Sequence, residues 1–271
     1  MILAAIAKLL LYGGVTIVAG EIAVQPRATS ATSMAFGERL RPTVRAGWIA
    51  LCIGTVVVLF GQARDLELEM AADAFGVLLG TRWGSGWVFL ALSVLLGTAA
   101  FTTRRGVWAR PLLVGCVAAG LGGLGHAAAD EAWPRASRLL HAVHVMCVGG
   151  WIGGLYLVAR VGASATPEAM WPAFSRTASF LAPLVFLTGV LTSLLRLNDA
   201  TFSAAITSDY GRLLLLKSAF ALVVLALGAT HRRRLLNGSR PRASSVRVEL
   251  SFAVLVFLVT SVLAGTAPPG E

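Results

Sequence analysis

Three of the four histidines in this 271-residue chain, His126, His141 and His144, fall within 19 residues of one another. Neutral imidazole suits copper, zinc, iron and nickel, and a nearby thiolate or thioether shifts the preference towards Cu(I). Cys147 supplies such a thiol. At about 100° per residue, His144 lies 60° from His141 on one helix face and a turn deeper, and Cys147 continues that column another turn on. Met146 falls about 200° from His144 and points elsewhere. The expected ligand set is therefore His126, His141 and His144 with Cys147, a set that leans towards a copper ion. The rival cofactor is haem b, because histidines on neighbouring membrane helices also hold haem iron axially. Since His141 and His144 share a helix, only His126 or His231 could supply the opposite ligand. The plainer role for these imidazoles is hydrogen bonding near helix ends, but ionisable side chains inside a membrane are expensive and usually functional. His231 precedes Arg232, Arg233 and Arg234, where a cation complements a helix C-terminus, and is not expected to be a ligand.

The elements that must carry these residues follow from composition. Apolar residues make up 56% of the chain and charged residues 13%, with a mean hydropathy of +0.77. A soluble domain carries about 25% charged residues. The fold class is all-α, a polytopic integral membrane protein. Apolar runs at 2–20, 44–62, 85–103, 110–129, 138–159, 177–197, 211–230 and 247–265 each match the length that crosses about 30 Å of hydrocarbon, which predicts eight spans in a single transmembrane domain over 1–271. The first run lacks a basic leader and a clear cleavage site, so it is expected to be a retained helix. The net charge of +10 does not point to nucleic acid, because the basic residues stand singly or in short runs between apolar segments. Cys52, Cys116 and Cys147 each sit in an apolar run and imply no disulfide framework. No nucleophile elbow, phosphate loop or metalloprotease pair is present, which argues against an enzyme.

Arginine asymmetry sets the expected orientation. The odd-numbered connections hold fifteen arginines, six of them between Arg232 and Arg247, and the even-numbered ones hold six: Arg64, Arg82, Arg135, Arg138, Arg196 and Arg212. The positive-inside bias places the odd connections in the cytoplasm and both termini in the periplasm. His126 and His141, joined by "ADEAWPRASR", then meet at the outer face. The acidic stretch with Asp65, Glu67, Glu69 and Asp73 lies on the same side and reads as a solvated loop. Lys217 sits about 10 Å below the outer end of its span, at the depth of His144 and Cys147. It could neutralise an anion, hold Asp130 or Glu131 near the site, or snorkel to the interface. Glycines spaced as Gly149-x3-Gly153 and Gly150-x3-Gly154 predict close helix packing beside Trp151, which could line a path next to the histidines. Gly120, Gly122, Gly123 and Gly125 would let the fourth span approach the fifth. Segment 83–105 lines up with 210–232, and Gly13-Gly14 with Gly149-Gly150, which predicts two four-helix halves, 1–129 and 130–271, related as a parallel repeat.

Four phrases carry a family resemblance: "GHAAA" at 125–129, "LLHAVHVMCVGGWIGGLYL" at 139–157, "FSRTASFLAPLVFLTGVL" at 174–191 and "SDYGRLLLLKSAF" at 208–220. A fifth is the last span, with Glu249 near its start and "AGTAPP" at its end. In this order and spacing the chain resembles the copper resistance D (CopD) family of bacterial inner-membrane proteins. The resemblance implies a multi-helix protein that handles periplasmic copper and moves it towards the cytoplasm, beside a small periplasmic copper carrier. It also implies His126, His141 and His144 as ligands. Its surroundings would be the lipid bilayer, and a homo-oligomer is compatible with this layout. The chain departs from the family pattern at Leu90 and His231.

Overall fold

A computed structural model describes residues 2–25, 31–66, 72–103, 108–124, 134–161, 170–197, 202–263 and 265–266. All regular structure among them is helical: α1 (Ile2–Val24), α2 (Ala31–Asp65), α3 (Ala72–Leu79), α4 (Arg82–Thr102), α5 (Arg110–Gly123), α6 (Pro134–Val161), α7 (Met170–Arg196), α8 (Phe202–Thr207), α9 (Asp209–Leu236) and α10 (Ala243–Leu263). The polytopic all-α expectation is met. Among the described residues, α1, α2, α4, α6, α7, α9 and α10 are long and apolar enough to cross a membrane. The expected span 110–129 is described only as the 14-residue α5, and its remainder lies outside the described residues. Part of the acidic segment, Ala72 onwards, folds as the short helix α3 rather than as a loop. Helix α2 has 35 residues. It would measure about 52 Å, well beyond about 30 Å of hydrocarbon, so the turns that carry Glu38, Arg39 and Arg41 are long enough to stand clear of the membrane.

The helix ends are written locally. Thr81 and Ser208 each accept a hydrogen bond from the backbone N–H three residues on, 3.0 Å in both cases, and so cap α4 and α9. Asp209 stands in the first turn of α9 and Arg233 and Arg234 in its last, as the helix dipole favours. After α9, Gly238 adopts φ +71°, a left-handed conformation that glycine enters without steric penalty, and Ser239 N–H closes back on the Arg234 carbonyl at 2.9 Å.

Helix α1 is the central post and packs against α2, α5, α6 and α7. Its Val15 and Val18 are fully buried, as are Leu51 of α2, Leu90 of α4, Val117 of α5 and Leu157 of α6. Helix α6 passes between α1 and α7, and it widens into a π-helical turn at Gly149–Gly153. A Cβ on Gly149 would meet Ala19, and one on Gly153 would run into the Thr16 carbonyl. On the opposite face, Cβ atoms on Gly150 and Gly154 would meet Leu181 and Phe174. The glycine pairs thus admit α1 on one side and α7 on the other. Of the four glycines expected to bring the fourth span onto the fifth, Gly122 faces α6, Gly120 and Gly123 face Leu90 and Gly86 of α4, and Gly125 lies outside the described residues. Arg110 is largely buried and reaches Glu21 of α1 at 3.2 Å while donating to the Phe101 carbonyl, which ties the α4–α5 turn to the end of α1. Helices α9 and α10 pack mainly against each other.

Candidate functional site

The site is built on the first half of α6, whose histidines stand one turn apart. The His141 ring lies edge-on to Tyr12 of α1, with centroids 6.1 Å apart, and its Nε2 is 3.3 Å from the phenol oxygen. Gly122 of α5 makes room for it, since a Cβ there would come within 3.3 Å of the imidazole. His144 turns the other way, to α7. Its Nδ1 is 2.9 Å from Thr188 Oγ1, and Gly189 leaves space beside the ring.

Thr188 fixes the chemistry of that imidazole. Its single hydroxyl proton is committed to the Leu184 carbonyl at 2.6 Å, as threonine hydroxyls in helices commonly do. The oxygen can therefore only accept from the ring, so Nδ1 carries the hydrogen and Nε2 keeps its lone pair. This is the tautomer of a metal ligand oriented from behind by a hydrogen bond. Lys217 of α9 and His141 lie within electrostatic range of His144, so the structure keeps Lys217 near the depth of His144 that was expected for it. Cys147 is buried a turn further along α6.

The remaining expected residues divide in two. His126, Asp130 and Glu131 lie outside the described residues. Among the described residues no three of His, Cys, Asp and Glu form a metal-holding group, so His141, His144 and Cys147 do not close a three-ligand site by themselves. Trp151, expected beside the histidines, instead lines a cavity of about 430 Å³ between α6, α7 and α9, together with Trp171, Phe174, His231 and Glu249.

That cavity corrects the reading of His231. Although it neighbours three arginines, it does not sit at the interface as a capping cation: only 6% of it is exposed. Its Nε2 is 2.8 Å from Ser245 Oγ, and its Nδ1 is 2.8 Å from Oε2 of Glu249, a carboxylate that is 1% exposed. The signal in the sequence was a glutamate within an apolar final helix, since a carboxylate there needs a partner on its neighbour.

Residues 168–264 match the family model described as copper resistance protein D. The inner membrane protein YebZ of Escherichia coli (strain K12) is 28% identical over 165 residues, covering 55% of this chain and 55% of that protein. The chain thus spans about half the length of the curated relative it matches. No solved structure matches. Thr188, Lys217, His231 and Glu249 fall inside the matched stretch, and the three clustered histidines precede it. The resemblance read from the sequence is borne out: this is a multi-pass, all-α membrane protein that carries the copper resistance protein D signature over residues 168–264.

Proposed function

We propose that this chain captures copper from the periplasmic side at His141 and His144, with His126 as third ligand and Cys147 behind them, and passes it towards the cytoplasm. The observation that carries this reading is the His144 to Thr188 hydrogen bond, which leaves the ring's lone pair on Nε2, on the same helix face as a second imidazole inside a membrane protein. The family match over 168–264 supports copper as the cargo. The protein acts as a carrier rather than a catalyst, and a periplasmic copper carrier would deliver its cargo.

The test is copper affinity of the purified protein, cellular copper accumulation and membrane abundance for His126→Ala, His141→Ala, His144→Ala and His231→Ala. Loss of a ligand should weaken outer-site binding by at least about tenfold, since second-shell changes alone cost roughly 10- to 100-fold. Three outer variants that bind and accumulate copper like the parent would overturn the site. The copper-loaded protein is expected to be colourless as Cu(I). One haem per chain, with a strong Soret band, would replace this reading by electron transfer.

A further inference from the structure

The cavity beside Trp151 has the form of a site for an amphiphile. On α7 its lining runs from Trp171 to Phe186, about 22 Å of helix, against about 15 Å for one leaflet of hydrocarbon. A volume of about 430 Å³ drawn out over that length makes it long and narrow. Trp151, Leu155 and Phe174 belong to walls that are almost wholly apolar, and Gly228 leaves room at the deep end, since a Cβ there would come within 3.6 Å of the Trp151 ring. The polar groups stand towards the other end, where α9 finishes and α10 begins. There His231 and Glu249 hold one proton between them as an ion pair 2.8 Å long and contribute no net charge. The charge left over is Arg232. Among the described residues no carboxylate pairs with it, and it donates instead to the neutral Ser179 hydroxyl of α7. A guanidinium carries five N–H donors, so donors remain for an anion.

We infer that this cavity binds an anionic phospholipid, its phosphate on Arg232 and one acyl chain running in past Phe174 to Trp151. Arg232 is exposed and lies one turn from the end of α9, the height of lipid headgroups, while the apolar walls extend inward from it. Basic pockets between membrane helices on the cytoplasmic side take such headgroups, and the positive-inside bias predicts that this arginine-rich end is cytoplasmic. A lipid can enter from the side, because α7 and α9, which flank the cavity, are mostly exposed along their apolar lengths. Its chain would also fill a seam that the protein leaves thin. Helices α9 and α10 pack mainly against each other, and Arg232 joins α9 to α7 across the mouth of the seam. Apolar surface of α6, α7 and α9 is buried together by one chain, which holds the α9–α10 pair against the rest.

This inference is independent of the copper reading, and its test uses no metal. The full chain in detergent is melted with equal amounts of phosphatidylglycerol, phosphatidylcholine or inorganic phosphate added, and native mass spectrometry counts the lipids retained. Variants are Arg232→Gln, Arg233→Gln and Ala178→Phe, the last placing a ring in the cavity lining. The parent is expected to retain one phosphatidylglycerol and to melt higher with it than with phosphatidylcholine or phosphate. Arg232→Gln should lose about tenfold in phosphatidylglycerol affinity, the usual cost of one charge-assisted hydrogen bond. Arg233→Gln, on the same turn but outside the cavity, should bind like the parent, and Ala178→Phe should lose the lipid with Arg232 intact. Should Ala178→Phe unfold, Arg232→Gln against Arg233→Gln carries the test. Equal melting of the parent in the two lipids, equal losses in the two arginine variants, or an Arg232→Gln that melts lower by the same amount in both lipids would overturn the site. Inorganic phosphate that stabilises the parent as well as phosphatidylglycerol does would overturn the acyl-chain assignment.

Discussion

At the scale of single residues, the most specific feature is the division of labour at Thr188. Its proton is used by Leu184 and its lone pair by His144, so the hydroxyl selects one imidazole tautomer. Thr188→Val keeps the shape but removes the hydroxyl that accepts from Nδ1–H, which weakens the ring's preference for one tautomer. Outer-site copper affinity should fall by about 10- to 100-fold. Thr188→Ser should restore it. A purely structural role would instead lower the melting temperature of the valine variant and leave affinity intact, so melting and chelator competition are measured together. Neither the pairing nor its direction was legible in the sequence. Threonine 188 lies 44 residues from His144, and nothing in the pattern of either helix says that they face each other.

At the scale of elements, α6 positions the site because it can lie against two helices at once. The π-helical turn at Gly149–Gly153 widens the helix where its glycines meet α1 and α7, and such turns often mark functional segments. Gly153→Ala should therefore be destabilising by about 1–3 kcal/mol, the usual range for overpacking a tight contact, since its Cβ would collide with the Thr16 backbone. Gly13→Ala in α1 is the control: its Cβ would have nothing within 4 Å and should leave melting in detergent unchanged. Equal melting of the two variants would show that the close approach of α1 and α6 is not needed. The small-residue spacing was visible in the sequence, but its partners were not, because a stripe of glycines specifies a close approach and not the identity of the helix that makes it.

At the scale of the whole molecule, arginine placement sets a direction through the membrane. Six arginines follow one another between His231 and Glu249, and the loop after α9 carries Arg240 and Arg242. The positive-inside bias predicts periplasmic termini, in which case single-cysteine reporters at Asp65 and Ala132 should react with an impermeant maleimide added outside intact cells, and one at Ser239 should not. Labelling of Ser239 from outside would invert the protein and put the outer histidines on the cytoplasmic side. The same orientation would put His141 and His144 towards the periplasm and His231 and Glu249 towards the cytoplasm.

The sequence by itself determined the architecture. With 13% charged residues and runs of about 20 apolar positions, backbone polar groups have no water to turn to and must bond within a helix, so an all-α, multi-pass fold follows from composition. It also determined that His141 and His144 lie one turn apart on α6, because helical spacing is a local property. What only the tertiary structure decided is which helix each side chain meets: Thr188 behind His144, Tyr12 beside His141 and Glu249 against His231. His231 makes the contrast plain. Read locally, it belongs with its arginines at a helix end; buried against α10, it answers instead to a carboxylate 18 residues away, because packing removes the water that would otherwise have solvated both.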